Sequence, residues 1–197
     1  MIKVENRKLH YGLSWEEYLS LGGRSNSSFK TIDQDKMNAS IKVQRGKMVD
    51  KILSGESVDI SSELYPEAQS IAMEINKSFG NIIQYSKTQV AVTADFVIEH
   101  NGTRWVLPFK GLMDCFIAGS AVIDYKVTGE KSIAGVASYL NYDTQLTGYS
   151  LAAGVESMFI IAYSVPTKHC AIYSLKPNYD QWVNRIIDYG VQTKITN

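Results

Sequence analysis

The stretch "GLMDCFIAGSAVIDYKVTG", residues 111–129, reads as two apolar strands, about 111–117 and 121–127, joined at "AGSA". Asp114 on the first strand and Asp124 and Lys126 on the second interrupt its apolar character. Residues i and i+2 of a strand project from one face, so Asp124 and Lys126 share a surface while Tyr125 points the other way. A turn centred at Gly119 sets position 114 opposite 124, because the two are equally distant from it. Cβ atoms of cross-strand neighbours stand ~5 Å apart, so the two carboxylates converge. Like charges so placed repel, and the usual remedies are a shared proton or a divalent cation. Magnesium suits the position, since it takes oxygen ligands and is commonly held by a carboxylate pair plus a substrate phosphate. Such an ion polarises a phosphodiester and activates water, with Lys126 stabilising charge or orienting that water. The alternative is a surface hairpin in which Lys126 neutralises one of the acids. The stretch alone leaves both open.

The surrounding chain narrows the choice. Its 197 residues, 45% hydrophobic and 20% charged, suit one soluble domain with a sizeable core. Its longest apolar runs, such as "MFIIAYSV", fall far short of the roughly 20 residues a membrane span needs, so no membrane partner is expected. The amino terminus "MIKVENRKLHYGLSWEEY" has the character of neither a secretory signal nor a transit peptide, which makes the cytoplasm the expected location. Cys115 and Cys170 form no CxxC pair, and no disulfide framework or zinc site is expected; both are read as reduced and buried. Twenty basic side chains balance twenty acidic ones, which argues against nucleic-acid binding by bulk charge but leaves room for a local basic groove.

Periodicity predicts short helix from "LSWEEYLSLG", a second helix from about 40 to Gly55, and a third beginning near Pro66 and ending at Gly80. The period then changes. "TQVAVTADFVIE" is β-branched and aromatic, and Asn101-Gly102 favours a tight hairpin, which predicts strands at about 89–99 and 103–109 before the 111–127 pair. "KSIAGVASYLNYDTQLTGYSLAAG" reads as helix, interrupted near Asn141; "MFIIAYSV" and "HCAIYSLK" read as strands; and "DQWVNRIIDYGVQT" closes the chain as helix. The expected fold is a single α/β domain over 1–197, with a mixed sheet flanked by helices. Its core covers about 40–175, behind a helical extension over about 1–39.

Taken together, these residues resemble the PD-(D/E)XK nuclease superfamily, whose core motif is an acid, a spacer, then acid-x-lysine on a hairpin. Asp114 and "DYK" at 124–126 match it. The likeness is to the RecB-like branch of lambda-type and RecE-type phage exonucleases, whose Q-x-x-x-Y helix is matched by Gln145 and Tyr149 in "QLTGY" and whose glycine before the first acid is matched by Gly111. That branch also has an upstream G-x-x-x-H helix. Here "RGKMVD" keeps Gly46 but carries Asp50 where the histidine would stand, and aspartate is a competent oxygen ligand. Glu74 is a fallback third carboxylate.

The resemblance implies a restriction-endonuclease-like fold and a magnesium-dependent deoxyribonuclease hydrolysing DNA phosphodiester bonds, manganese being able to substitute. Asp114 and Asp124 would be metal ligands, Asp50 an accessory one, Lys126 the charge-stabilising or water-orienting group, and Gln145 and Tyr149 supporting catalytic contacts. It further implies an exonuclease of phage recombination type, acting on double-stranded DNA with a free end in a bacterial or phage-infected host cell, as a homo-oligomer or with a recombination partner protein. Arg24 and Arg45 are candidates for DNA-phosphate contact, their alternative being solvated surface. Trp15, Trp105 and Trp182 are expected to be packing residues, as is Cys115. The rival from another class is a catalytically inactive module of the same fold that binds nucleic acid or a protein partner.

Overall fold

β-branched and aromatic residues at 89–99 and Asn101-Gly102 produce the sheet's longest hairpin, with both turn residues at positive φ, 49° and 75°, as a tight hairpin turn requires. A computed structural model describes residues 2–25, 40–131 and 142–193. In order, the elements are β1 (Ile2–His10), α1 (Trp15–Ser20), α2 (Ile41–Ser54), α3 (Tyr65–Ile83), β2 (Lys87–His100), β3 (Thr103–Ile117), β4 (Ala121–Thr128), α4 (Tyr142–Ala153), β5 (Ser157–Ser164), β6 (His169–Leu175) and α5 (Tyr179–Thr193). The six strands form one sheet in chain order, antiparallel throughout except for the parallel pair β4 and β5. A parallel pair needs a long crossover, and α4 lies within it. No helix among the described residues is long and apolar enough to cross a membrane.

Helices cover both sheet faces, so β4 and β5 are buried on both sides and read as continuous apolar runs rather than alternating ones. On one face, Phe96, Phe109, Met113 and Val122 pack against Leu146 of α4 and Trp182 and Ile186 of α5. Phe96, Phe109 and Trp182 meet edge to face, with ring centroids 5.2–5.5 Å apart. A Cβ at Gly148 would lie 2.5 Å from the Trp182 ring, so α4 and α5 approach this closely only because the residue is glycine. On the other face, Ile123, Tyr125 and Ile161 pack against Val49 and Leu53 of α2 and Ile71 and Ile75 of α3.

Three expectations are corrected. Residues 2–10, placed in a helical extension, form the edge strand β1 along β2. Its alternation breaks where the register shifts between Glu5 and Lys8, with Asn6 at φ 52° and its side chain on the Asp95 carboxylate at 2.7 Å, which hides the period-2 signal. The strands expected at 103–109 and 111–117 are one, because β2 is long enough to pair with β3 from Thr103 to Phe116. Lys110, between the two expected strands, has its Nζ donating to the carbonyls of Leu19 and Leu21 at 2.9 Å, which caps the end of α1. The third helix runs past Gly80 to Ile83. The first part of the helix expected from 131 lies outside the described residues.

Candidate active site

The β3–β4 ladder pairs Ile117 with Ala121, Phe116 with Val122 and Cys115 with Ile123, and then the strands part. Where the next backbone bond would form, the Asp114 carboxylate substitutes, its Oδ2 accepting from the Tyr125 N–H at 2.9 Å. The opposite edge of β3 is released at the same residue. β2 pairs Thr88 with Cys115 and Val90 with Met113 but skips Gln89 and Asp114, and Gln89 has φ 50°. The burial alternation of β3 slips here as well, Met113 and Phe116 lying in one core and Cys115 in the other. Asp114 thus stands at the one point in this part of the sheet where β3 is bonded to neither neighbour, and its carboxylate faces the opening.

Asp124, on β4, lies buried close to Asp114. It is only 4% exposed, and its Oδ2 forms an ion pair with Lys126 Nζ while receiving no aligned hydrogen bond. Burial, followed by repulsion from Asp124, pushes the Asp114 carboxyl up to about 7, against the pull of Lys126 and the Tyr125 N–H. Asp50 reaches the group from α2. Burial first and Asp114 second raise its carboxyl well above the usual range, with Asp124 adding and Lys126 opposing. Four of the residues singled out in the sequence therefore share one electrostatic environment.

Gln145 and Tyr149 back the group from α4, the Gln145 amide donating to the Tyr149 hydroxyl at 3.1 Å. Tyr149 is buried, and burial raises its phenol while Asp124 and Asp114 add to the effect. Its ring lies on Gly111, where a Cβ would stand 2.5 Å from the ring carbons. That contact is the physical need for a glycine ahead of the first acid. A cleft of about 530 Å³ opens over Asp50 and Asp114, lined also by Trp15, Lys47, Lys51, Glu56 and Gln89 among others.

Other candidates sit elsewhere. Arg24 is exposed beside β3, its backbone N–H donating to the Pro108 carbonyl at 2.7 Å and its carbonyl accepting from Lys110 at 3.0 Å. Arg45 is ion-paired at 2.8 Å with Glu67, which ties α2 to α3. Neither lines the cleft over the acids. Glu74 pairs with Lys77 and borders a separate cavity of about 470 Å³ with Glu67, Tyr163 and Lys168. Both cysteines are free; Cys115 is buried as expected, and Cys170 is half-buried rather than buried. Trp182 packs in the core, but Trp15 is corrected: it is 59% exposed and forms one wall of the cleft. The reason is tertiary: α1 buries only Tyr18 and leaves the remainder of its short length to solvent.

The donor set is all oxygen, with a buried Asp124 oxygen lacking an aligned hydrogen bond and a second carboxylate driven toward protonation beside it. Such a pair fits a hard divalent cation that completes its shell with water and phosphate. Among the described residues, no group of three or more His, Cys, Asp and Glu side chains stands together as a complete metal site.

No protein-family model matches the chain, and no curated protein does. Solved structures similar to the chain include two described as exonucleases. One, a "putative exonuclease" from Eubacterium rectale, is 19% identical over 95% of this chain and 89% of its own, with a TM-score of 0.62. The other, an alkaline exonuclease from Laribacter hongkongensis, is 11% identical over 91% of this chain and 92% of its own, with a TM-score of 0.42. The six-stranded mixed sheet with its flanking helices is a fold this chain shares with the Eubacterium rectale structure.

Proposed function

We propose that this chain, built on the PD-(D/E)XK nuclease fold, is a metal-dependent nuclease that hydrolyses DNA phosphodiester bonds, acting as an exonuclease. The observation that carries the reading is the meeting of Asp114, Asp124 and Lys126 where β3 leaves β4. An acid pair and a lysine are what phosphodiester hydrolysis needs on the protein side. Asp114 and Asp124 would hold a divalent cation, magnesium or manganese, with Asp50 as an accessory carboxylate. When bound, that ion supplies Lewis-acid polarisation of the phosphate and a nucleophile at neutral pH.

The chain's own groups do the rest. The Tyr125 N–H fixes the direction of the Asp114 carboxylate. Lys126, held beside Asp124, places positive charge where negative charge grows on the phosphate oxygens. Gln145 and Tyr149, bonded to each other, form the polar wall behind the acids. Lys47 and Lys51, which line the cleft together with Glu56, supply two cations for the phosphate backbone. The exonuclease description of the Eubacterium rectale structure favours end-directed action, and a phage-type recombination role and self-assembly belong to the same reading.

The test is digestion of linear and circular duplex DNA with and without magnesium. End-dependent loss of the linear form, abolished by chelation and reduced at least ~100-fold in Lys126→Ala at unchanged melting temperature, is the expected result. Undiminished cutting by that variant would remove the proposed site. Binding without cutting by the wild type would leave an inactive module of this fold.

A further inference from the structure

Trp15 is the large apolar side chain that the cleft leaves uncovered. Its ring centroid lies 5.3 Å from that of buried Tyr18 at an interplanar angle of 31°, and Lys110 Nζ stands 5.2 Å from the Tyr18 ring. The helix that bears it is fixed at both ends: Ser14 and Glu17 form a capping box, and Lys110 binds the closing carbonyls. An indole that is 59% exposed on so well anchored a helix is a rigid platform rather than an unfilled piece of core.

Gln89 lines the same cleft. It is a non-glycine residue held at φ 50° in the middle of a strand, opposite Asp114, where the ladder skips both residues. A left-handed conformation inside a strand is costly and persists where the surrounding structure enforces it, most often at binding sites. Its side chain ends in an amide with both donor and acceptor, the pair needed to bond a base edge. Lys47 and Lys51 border the space between, with charge suited to phosphate.

We infer that the cleft contains a nucleobase subsite in which the Trp15 indole stacks on one unpaired base beside the reacting phosphate and the Gln89 amide bonds that base's edge. The inference rests on the nuclease reading for the identity of the reacting phosphate, though not for the subsite itself. Its consequence is a substrate class: strands that present an unstacked nucleotide, either single strands or frayed duplex ends, in preference to an intact blunt duplex.

The test measures binding of two single-stranded oligonucleotides of equal length, one natural and one abasic throughout, by fluorescence anisotropy with calcium to suppress cleavage. Stacking contributes ~1–3 kcal/mol per base, so Trp15→Ala is expected to bind the natural strand about 5- to 150-fold more weakly, with Trp15→Phe recovering most of the loss. The abasic strand should bind wild type and Trp15→Ala alike. Gln89→Gly, which relieves the backbone strain while deleting the amide, should keep or raise the melting temperature and lose affinity only for the natural strand. Equal affinity of wild type and Trp15→Ala for the natural strand overturns the subsite, as does an equal loss on both strands or failure of the natural strand to bind the wild type. A wild type that discriminates the strands in calcium but cuts neither in magnesium would keep the subsite and defeat the nuclease reading. One that cuts in magnesium without discriminating would do the reverse.

Discussion

Gly111 shows how much of the site rests on a missing methyl group. The Tyr149 ring occupies the place of its Cβ, so Gly111→Ala forces the ring, its bond to Gln145 and the wall behind Asp114 and Asp124 to move. Overpacking of this kind costs about 1–3 kcal/mol. Gly111→Ala is expected to lower the denaturation midpoint accordingly and to cut nuclease activity by more than the stability loss explains. In a Tyr149→Ala background the same substitution should cost little, and a double-mutant cycle with no coupling between the two positions would refute the contact. The cysteines supply a second check at this scale. Burial raises the Cys115 thiol, and burial pushes Cys170 up to about 11, so neither carries much thiolate near neutrality. At pH 8 iodoacetamide is expected to label the native protein far more slowly than the urea-unfolded chain, and rapid native labelling of Cys170 would contradict its placement on β6.

At the scale of elements, α1 is a short helix held to the sheet by one lysine side chain. Removing charge-assisted hydrogen bonds costs ~1.5–3 kcal/mol, so Lys110→Met, which keeps the stem, should loosen α1 and with it Trp15. The expected signature is a several-fold rise in KM for a single-stranded substrate with little change in kcat; a fall in kcat alone would place Lys110 in the chemistry instead. The sequence made α2, the β2–β3 hairpin and the turn at Gly119 legible because periodicity and turn chemistry there agree with the tertiary contacts. It also made Asp114 and Asp124 legible as neighbours, since the register on either side of the turn runs as counted. β1 was illegible for a physical reason. An edge strand guarded by charges and broken by a register shift lacks the alternation that announces a strand. Trp15 was misread because aromatic residues usually pack, and only the contact map reveals that α1 has so little to pack against. The left-handed Gln89 carries no signal in its residue type at all.

For the whole molecule, the acids at the gap make folding sensitive to pH and to metal together. Asp114, raised to about 7, and Asp50, raised well above its ordinary value, bind protons more tightly folded than unfolded. Stability then falls with rising pH wherever the native state holds more protons, from the ordinary carboxylate range up through the folded value near 7. The stabilisation is full below about pH 4 and gone above the folded pKa, the opposite sense to a salt-bridged aspartate. Both cores pack against β3, which carries Asp114, and one of them against α2, which carries Asp50, so the effect should appear in global unfolding rather than local fraying. Without metal, the melting temperature is expected to drop between pH 5 and 8 by several degrees, with Asp114→Asn reducing the drop and the double variant Asp50→Asn, Asp114→Asn largely abolishing it. A cation that binds only the folded pair stabilises by mass action and takes over the role of the proton. Magnesium or manganese should therefore raise the melting temperature at pH 8, do little at pH 5, and do nothing in Asp114→Asn. Equal stabilisation of the wild type and that variant by the metal would mean that the ion binds elsewhere, and the acid pair at the gap would lose its proposed role.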